Sequence, residues 1–192
     1  LDLARSGVWA LNRDDLLAAA IMARSALESA VKYVDVGRAI SATLDSVRPP
    51  EFTKGIHTSS ELEKLVVKAM YGTRLPGMEG ENEEYKSVSI LSSIGRISKI
   101  KYQDNISKHY EILCEIAHPN CWGQFLYIAG MTPGSRTGDE IRTLKFEAKK
   151  ENIIVLAASV SAISWACATS VTACNMLEKS VRMFRQSSQL DI

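Results

Sequence analysis

The chain has 192 residues, of which 46% are hydrophobic and 23% charged, a composition that excludes disordered, collagen-like and disulfide-framework proteins. Its 23 Lys and Arg residues against 22 Asp and Glu give a net charge of +1. This balance excludes a bulk electrostatic field that would collect nucleic acid or anionic membrane, so such binding requires a local patch. The length is sufficient for one domain with its own core, and we expect a single domain over residues 1–192.

The first predicted helix covers residues 14–45. Apolar residues recur there at spacings of three and four with no proline between them, which is typical of an amphipathic helix. Gly37 is a candidate for a kink. The Pro49–Pro50 pair ends the helix, because a proline disfavours helical backbone in the residue before it and cannot donate a helix hydrogen bond itself.

A second, shorter helix is predicted after a loop that extends to His57. Ser60 with Glu63 three residues later has the pattern of a capping box, and Gly72 suits the end of the helix. The following segment, about 73–86, is rich in glycine, proline and glutamate, which predicts a flexible surface loop.

Two more helices are predicted before the middle of the chain is interrupted by Pro119. Apolar residues recur at every third position from Val88 to Ile100, and a second periodic segment extends from Asn105 to His118.

The segment between the last two helices has a strand-like composition. Gln124–Ile128 is aromatic and β-branched, Ile141–Phe146 alternates, and turn residues such as Pro133 and Gly134 lie between them. We therefore expect a hairpin-like insertion at about 121–148.

The last helix is predicted to begin near Ile153, and it contains no Asp, Glu, Lys or Arg as far as Leu177. This length is enough to cross a membrane. Ser, Thr, Ala and Cys are interleaved with the aliphatic residues, however, and such small residues suit a helix buried on all sides in a soluble bundle. We expect the buried helix and keep a membrane span as the alternative. The predicted fold is an all-α bundle with long first and last helices and a small β-hairpin between the last two.

The chain has four cysteines, Cys114, Cys121, Cys167 and Cys174. Two of them lie seven residues apart on the last helix, too far apart for a disulfide, so reduced thiols are expected. Because the first residues also lack a secretory signal pattern, we expect a cytoplasmic protein. Cys114, His118 and Cys121 offer metal ligands, but the paired spacings of a structural zinc site are absent, and we expect no metal or cofactor.

The densest polar cluster lies on the helix before Pro119. Glu111, Cys114, Glu115 and His118 recur at offsets of three, four and seven and so share one helix face. A histidine at a helix C-terminus, beside carboxylates and followed by Asn120, suits general acid–base chemistry. The alternative is a structural histidine that caps the helix carbonyls.

The first helix carries one ion-pair candidate in an apolar context. Arg24 and Glu28 lie one turn apart, among alanines that leave room for a close neighbour. If Arg24 points inward, it needs partners, and Glu28 with Tyr110 and His118 from the later helix are the candidates. The alternative is an exposed pair that contributes little to stability.

A separate group of basic residues offers an RNA contact. The cations Arg96, Lys99, Lys101 and Lys108, with Tyr102 for stacking, suit single-stranded nucleic acid, although the same residues also suit an ordinary solvated face.

Two segments, Ala23–Ala30 (ARSALESA) and Tyr110–Asn120 (YEILCEIAHPN), resemble uncharacterised bacterial proteins related to the HEPN superfamily. The resemblance implies a small helical bundle, frequently dimeric, found among toxins, abortive-infection (phage-defence) proteins and CRISPR-associated nucleases. Active members cleave RNA without metal, using an Arg and a His separated by four to six residues. No Arg stands at that separation before His118, and the resemblance therefore suggests Arg24 as a substitute cation.

The resulting hypothesis is an RNA-directed, metal-independent nuclease or a toxin or defence component. A non-catalytic helical interaction or oligomerisation module is the first alternative, and a single-span membrane-anchored protein is the second. RNA, a second copy of the chain as a homodimer, or another protein are the expected partners, and a membrane is not favoured. The candidate catalytic residues are His118, Arg24 and Glu28, and the candidate binding residues are Tyr110, Asn120, Glu111 and Glu115.

Overall fold

The computed structural model describes residues 1–46, 52–71, 88–100, 105–118, 128–134, 141–146 and 153–189. In these residues the protein is an all-α bundle with one small hairpin, as the sequence predicts. The elements in chain order are α1 (Asp2–Leu11), α2 (Leu16–Asp45), α3 (Phe52–Tyr71), α4 (Ile90–Ile97), α5 (Asn105–Ala117), β1 (Ile128–Gly134), β2 (Ile141–Phe146) and α6 (Ile153–Gln189).

The chain forms two compact units, each made of two separate stretches of sequence. The first unit contains Leu1–Glu28 and Asp104–Cys167, and the second contains Ser29–Gln103 and Ala168–Ile192. The long helices α2 and α6 each contribute to both units.

Helix α1 is an element that the sequence analysis did not predict. It ends in a Schellman-type turn, in which the Asp14 amide donates to the Leu11 carbonyl and the Asp15 amide to the Ala10 carbonyl. Asp14 takes the left-handed conformation (φ 58°) that this turn requires. The Asp15 carboxylate then accepts a 3.0 Å hydrogen bond from the Ala18 amide and so caps the start of α2.

The prediction for α3 was wrong at its start. The helix begins at Phe52, so His57 and Ser60 lie inside it and the proposed capping box does not open it. A proline is tolerated at the start of a helix, because the first backbone N–H groups have no partner within the helix. The Pro49–Pro50 pair can therefore come shortly before a helix that begins at Phe52. The helix ends at Tyr71 as expected, while the predicted loop at 73–86 lies outside the described residues.

The predictions for α4 and α5 are confirmed. Helix α4 covers Ile90–Ile97, inside the predicted segment, and α5 covers Asn105–Ala117 with His118 directly after it. The buried residues of α5 repeat at spacings of three and four, because only one side of the helix enters the core of the first unit. They are Ile106, Tyr110, Leu113 and Ile116.

The hairpin forms, but its first strand is displaced from the prediction. Strand β1 is Ile128–Gly134 and pairs antiparallel with β2, Ile141–Phe146, with an irregularity between Ile128 and Gly130. Pro133 and Gly134, predicted as turn residues, are therefore ladder residues at the end of β1. The composition predicted two strands in this region. It did not predict where β1 begins or its register, because both depend on the pairing with β2.

Helix α6 buries one face only, which corrects the prediction of a helix buried on all sides. Its large residues lie mainly on the opposite, solvent-exposed face, at Ile153, Ile154, Leu156, Val160 and Val171. Its buried positions are mostly small, and they are Val155, Ala158, Ser159, Ala162, Ile163, Ala166 and Ala173.

Within the described residues, α6 is also the one helix long and apolar enough to cross a membrane. The stretch Ile153–Gln186 has a mean hydropathy of 1.8 in its 18-residue window, of which 33% is buried inside the protein. Length and composition alone are weak evidence for a span, because core helices of soluble proteins show the same values.

Small residues set the close packing in the first unit. Helix α1 buries Ala4, Gly7 and Ala10. A β-carbon on Gly7 would lie 2.6 Å from the Ile163 Cδ1 atom of α6 and 3.5 Å from the Met22 Cβ atom of α2. Alanines occupy most buried positions of α2 in this unit, which lets neighbouring backbones approach closely.

Candidate functional site

The candidate site lies in the first unit, where α2 and α5 bring together residues separated by 82 positions in the sequence. Glu28 is at its centre. One carboxylate oxygen of Glu28 accepts a 2.9 Å hydrogen bond from the Arg24 Nε atom and a 3.1 Å hydrogen bond from the Tyr110 hydroxyl. The predicted pairing of Arg24 with Glu28 and the predicted link to Tyr110 are therefore confirmed, whereas the predicted participation of His118 in the network stays a prediction.

The aromatic ring of Tyr110 completes this network. The Arg24 Cζ atom lies 5.7 Å from the ring centroid, within the range of a cation–π contact. Tyr110 is only 5% exposed, whereas the side chains of Arg24 and Glu28 are 25% and 31% exposed. The network thus extends from the core to a partly solvated surface.

Local sequence explains why these side chains converge. Arg24 and Glu28 are four residues apart, so both project from the same side of α2. The Tyr110 hydroxyl reaches the same carboxylate from α5, which belongs to the same compact unit.

The electrostatics favour a permanently charged Arg24. Burial alone lowers the pKa of Arg24, but the hydrogen bond to Glu28 and the negative charge of Glu28 help to raise it overall. Burial raises the pKa of Tyr110, and a hydrogen bond with Cys114 and the negative charge of Glu28 raise it further. Tyr110 therefore acts as a neutral hydrogen-bond donor at physiological pH.

His118 lies directly after α5, and its side chain is exposed to solvent. Its backbone amide donates a 3.0 Å hydrogen bond to the Cys114 carbonyl, which continues the last turn of the helix. Cys114 is half-buried and interacts with both Arg24 and Tyr110. His118 follows one turn later, about 6 Å further along the helix axis. An imidazole open to solvent is available for proton transfer with a bound molecule.

The remaining predicted residues are Glu111, Glu115 and Asn120. Glu111 is exposed and accepts a long, 3.4 Å hydrogen bond from Ser107 on its own helix. Glu115 is exposed as well. Asn120 and the fourth cysteine, Cys121, lie outside the described residues.

Sequence reasoning missed a second polar cluster, in the second unit. The Asp35 carboxylate on α2 accepts hydrogen bonds from the Arg96 Nε atom (2.9 Å), from the Arg96 Nη2 atom and from the Ser93 hydroxyl (2.9 Å) on α4. Burial alone raises the pKa of Asp35, but hydrogen bonds from Arg96 and Ser93 and the charges of Arg96 and Arg38 lower it overall.

This cluster changes the interpretation of Arg96. The sequence analysis grouped Arg96 with lysines as a surface for nucleic acid, whereas the structure engages it with Asp35. Only the spacing of Ser93 and Arg96 on one face of α4 hints at a shared partner, and nothing in the sequence indicates that the partner is 61 positions away.

No metal-binding group of three or more His, Cys, Asp or Glu side chains forms among the described residues. Cys114, Cys167 and Cys174 are free thiols.

Comparison with known proteins returned no matching family model, no matching curated protein and no matching solved structure.

Proposed function

We propose that the protein is an RNA-directed enzyme of HEPN-like type that cleaves phosphodiester bonds by acid–base chemistry without a metal ion. The observation that supports this function best is the Arg24–Glu28–Tyr110 network at a partly solvated surface. The solvent-exposed His118 follows Tyr110 by eight residues, about 12 Å further along the axis of α5. A fixed cation and a free imidazole are the two groups that such chemistry requires.

The proposed reaction is an internal transesterification of RNA. The ribose 2′ oxygen forms a bond to phosphorus while the bond from phosphorus to the 5′ oxygen breaks, which yields a cyclic phosphate and a free 5′ hydroxyl. His118 accepts the 2′ proton and then delivers it to the leaving 5′ oxygen, so that no net proton is released. Arg24 stabilises the negative charge that develops on the phosphate oxygens.

Glu28 and Tyr110 position the arginine in this scheme. The hydrogen bond to Glu28 uses the Nε atom of Arg24, and the guanidinium carries four more N–H donors for a phosphate. The Tyr110 hydroxyl donates a hydrogen bond to the same carboxylate oxygen from α5. Because this bond fixes Glu28, it also fixes the orientation of the Arg24 guanidinium.

The decisive experiment compares two histidine variants on labelled single-stranded RNA. His118→Ala is expected to lower the cleavage rate by about a hundredfold or more, because it removes the general acid–base group. The melting temperature should remain nearly unchanged, since the side chain is exposed. EDTA should leave the wild-type rate unaffected.

His109→Ala is the matched control. His109 also lies on α5, nine positions before His118 and therefore about two and a half helix turns away, on the opposite side. Its replacement should preserve cleavage. Cleavage that survives His118→Ala, or a wild-type protein that cleaves no RNA, contradicts the proposed function.

A second candidate function, self-association as a helical module, is favoured by α6. Its exposed face carries Ile153, Leu156, Val160 and Val171 without a single charged residue before Glu178. An exposed apolar surface of this kind typically marks an interface. Here the expected partner is a second copy of the chain. Self-association predicts a molar mass in solution above the 21.1 kDa of one chain.

A further inference from the structure

The outer face of α1 carries an exposed tryptophan between two arginines. Trp9 is 58% exposed, and the Arg13 guanidinium, in the turn after α1, lies over its ring with the Cζ atom 3.9 Å from the centroid. Arg5 lies one turn before Trp9 on the same helix face, with a side chain 82% exposed. An exposed aromatic ring and two exposed cations therefore lie together at the surface of α1 and the turn after it.

We infer that Arg5, Trp9 and Arg13 form a contact surface for single-stranded RNA. A base stacks on Trp9, and the two arginines bind phosphates of the same strand on either side of that base. Aromatic stacking between cations is the general way in which proteins hold single strands without reading their sequence. The inference rests on the proposed function for its choice of RNA, and it adds a binding surface outside the Arg24–His118 site.

The geometry suits a strand that follows the helix. Arg5 and Arg13 are eight residues apart, about 12 Å along the helix direction, which is close to the rise of three to four stacked nucleotides on one strand. Trp9 lies midway between them, so a base on its ring has a cation on either side.

The present partners of the arginines do not prevent this contact. Arg5 pairs with Asp2 at 2.9 Å, and both side chains are more than 80% exposed, so the pair contributes little and exchanges readily for a phosphate. The Arg13 guanidinium lies over one face of the Trp9 ring, and a base stacks on the opposite face of this largely exposed side chain, while the outward N–H groups of Arg13 bind a phosphate.

The pattern fits RNA better than a membrane surface. A helix that lies on a membrane needs a continuous apolar face. The exposed apolar residues at and near α1 are interspersed with exposed polar ones. The apolar residues are Leu1, Leu3, Val8 and Trp9, and the polar ones include Asp2, Arg5, Ser6 and Asn12.

The test measures binding of a fluorescein-labelled 2′-O-methyl oligouridylate of about 12 nucleotides by anisotropy. This probe lacks the 2′ hydroxyl, so binding is separated from cleavage. Trp9→Ala should weaken binding by at least about fivefold, whereas Trp9→Phe keeps most of the affinity. Arg5→Gln and Arg13→Gln should each reduce the slope of log affinity against log salt by about 0.7.

Tyr33→Ala is the matched control for an exposed aromatic residue. Tyr33 is 66% exposed, but Ser29 and Gly37 stand one turn away on either side instead of arginines, so this variant should bind normally. Equal binding by Trp9→Ala and wild type overturns the inference. So does equal loss in Tyr33→Ala, or Trp9-dependent binding to vesicles of phosphatidylcholine and phosphatidylglycerol by a protein that binds no RNA.

The two proposals fail separately. Loss of binding in Trp9→Ala with no cleavage by the wild type leaves the α1 surface standing and contradicts the nuclease function. Conversely, if cleavage requires His118 but Trp9→Ala binds RNA normally, the nuclease function is supported and the α1 surface is contradicted.

Discussion

At the scale of single residues, Glu28 decides the geometry of the candidate site. One of its oxygens accepts hydrogen bonds from both Arg24 and Tyr110, and each donor comes from a different helix. Hydrogen bonds to a charged acceptor are stronger than neutral ones, and a partly buried carboxylate that loses a donor is costly. The Tyr110 hydroxyl is therefore important for stability as well as for positioning.

Tyr110→Phe removes this hydroxyl and leaves the ring in place. We expect the free energy of unfolding to fall by about 1–2 kcal/mol, because Glu28 loses one of its donors in a partly buried setting. Urea denaturation measures the change.

The control for this variant is Tyr33→Phe, which removes the hydroxyl of an exposed tyrosine and should change stability by less than about 0.5 kcal/mol. Similar losses in both variants would show that the Tyr110–Glu28 hydrogen bond has no special role.

At the scale of elements, polar clusters and glycines hold the helices in place. Helix α4 is joined to α2 by the hydrogen bonds of Ser93 and Arg96 to Asp35, and Ser93 is almost completely buried. Later in the second unit, the Ser180 hydroxyl of α6 donates a 3.2 Å hydrogen bond to the Ser41 hydroxyl of α2. In the first unit, Gly7 permits the close approach of α1 to α6.

The Asp35 cluster predicts a pH dependence of stability. The pKa of Asp35 is lower in the folded protein than its ordinary value of 3.8, so its contribution is fully present above about pH 4. That contribution is lost as the pH falls through the lower, folded-state pKa. In Asp35→Asn, the free energy of unfolding should be smaller at pH 6 and should decline less steeply between pH 4 and 2, as measured by urea denaturation.

An equally steep acid decline in Asp35→Asn and wild type would contradict this prediction. Asp2→Asn is the matched control, since the Asp2 side chain is 90% exposed and its pair with Arg5 contributes little to stability.

Two glycine substitutions should have different effects on stability. Gly95→Ala in α4 meets no atom within 4 Å, so the higher helix propensity of alanine should stabilise the protein by about 1 kcal/mol. Gly7→Ala gains the same propensity but forces the Ile163 side chain to move, at a similar cost, so its net effect should be near zero. Thermal unfolding of both variants measures the difference, and a stabilisation by Gly7→Ala equal to that of Gly95→Ala would contradict the packing argument.

At the scale of the whole molecule, α6 has an apolar face that the described part of the chain leaves uncovered. Its buried face is built from small residues, and only 33% of its most apolar window lies inside the protein. Burial of such a surface in a second copy stabilises the folded form by mass action. The proposed self-association therefore predicts a melting temperature that rises with protein concentration.

Val160→Glu places a charge in the middle of the exposed face of α6 and should convert a dimer into a monomer of 21.1 kDa, as measured by light scattering. Val66→Glu on α3 is the matched control, because Val66 is exposed to a similar extent on another helix. A monomeric wild type contradicts self-association. Wild-type protein that partitions into membranes supports the membrane-anchored alternative instead.

The sequence by itself determined the helical class, the extent of α2 and α5, and the pairing of Arg24 with Glu28. These properties depend on residues within a few turns of one another, so the 3.6-residue period of a single segment is enough to predict them. The likeness of two short segments to HEPN-related proteins supplied the hypothesis that Arg24 and His118 belong to a common site, which stays a prediction.

Only the tertiary structure decided which face of α6 is buried, where β1 begins, and that Asp35 is joined to Ser93 and Arg96. Each of these depends on a partner that is remote in the sequence, and in α6 the large apolar residues lie mainly on the exposed face, so their periodicity does not mark the buried one. The absence of charge and the interleaved small residues of α6 suggested burial on all sides. The neighbouring elements instead cover its small residues, because close backbone packing selects alanine and serine.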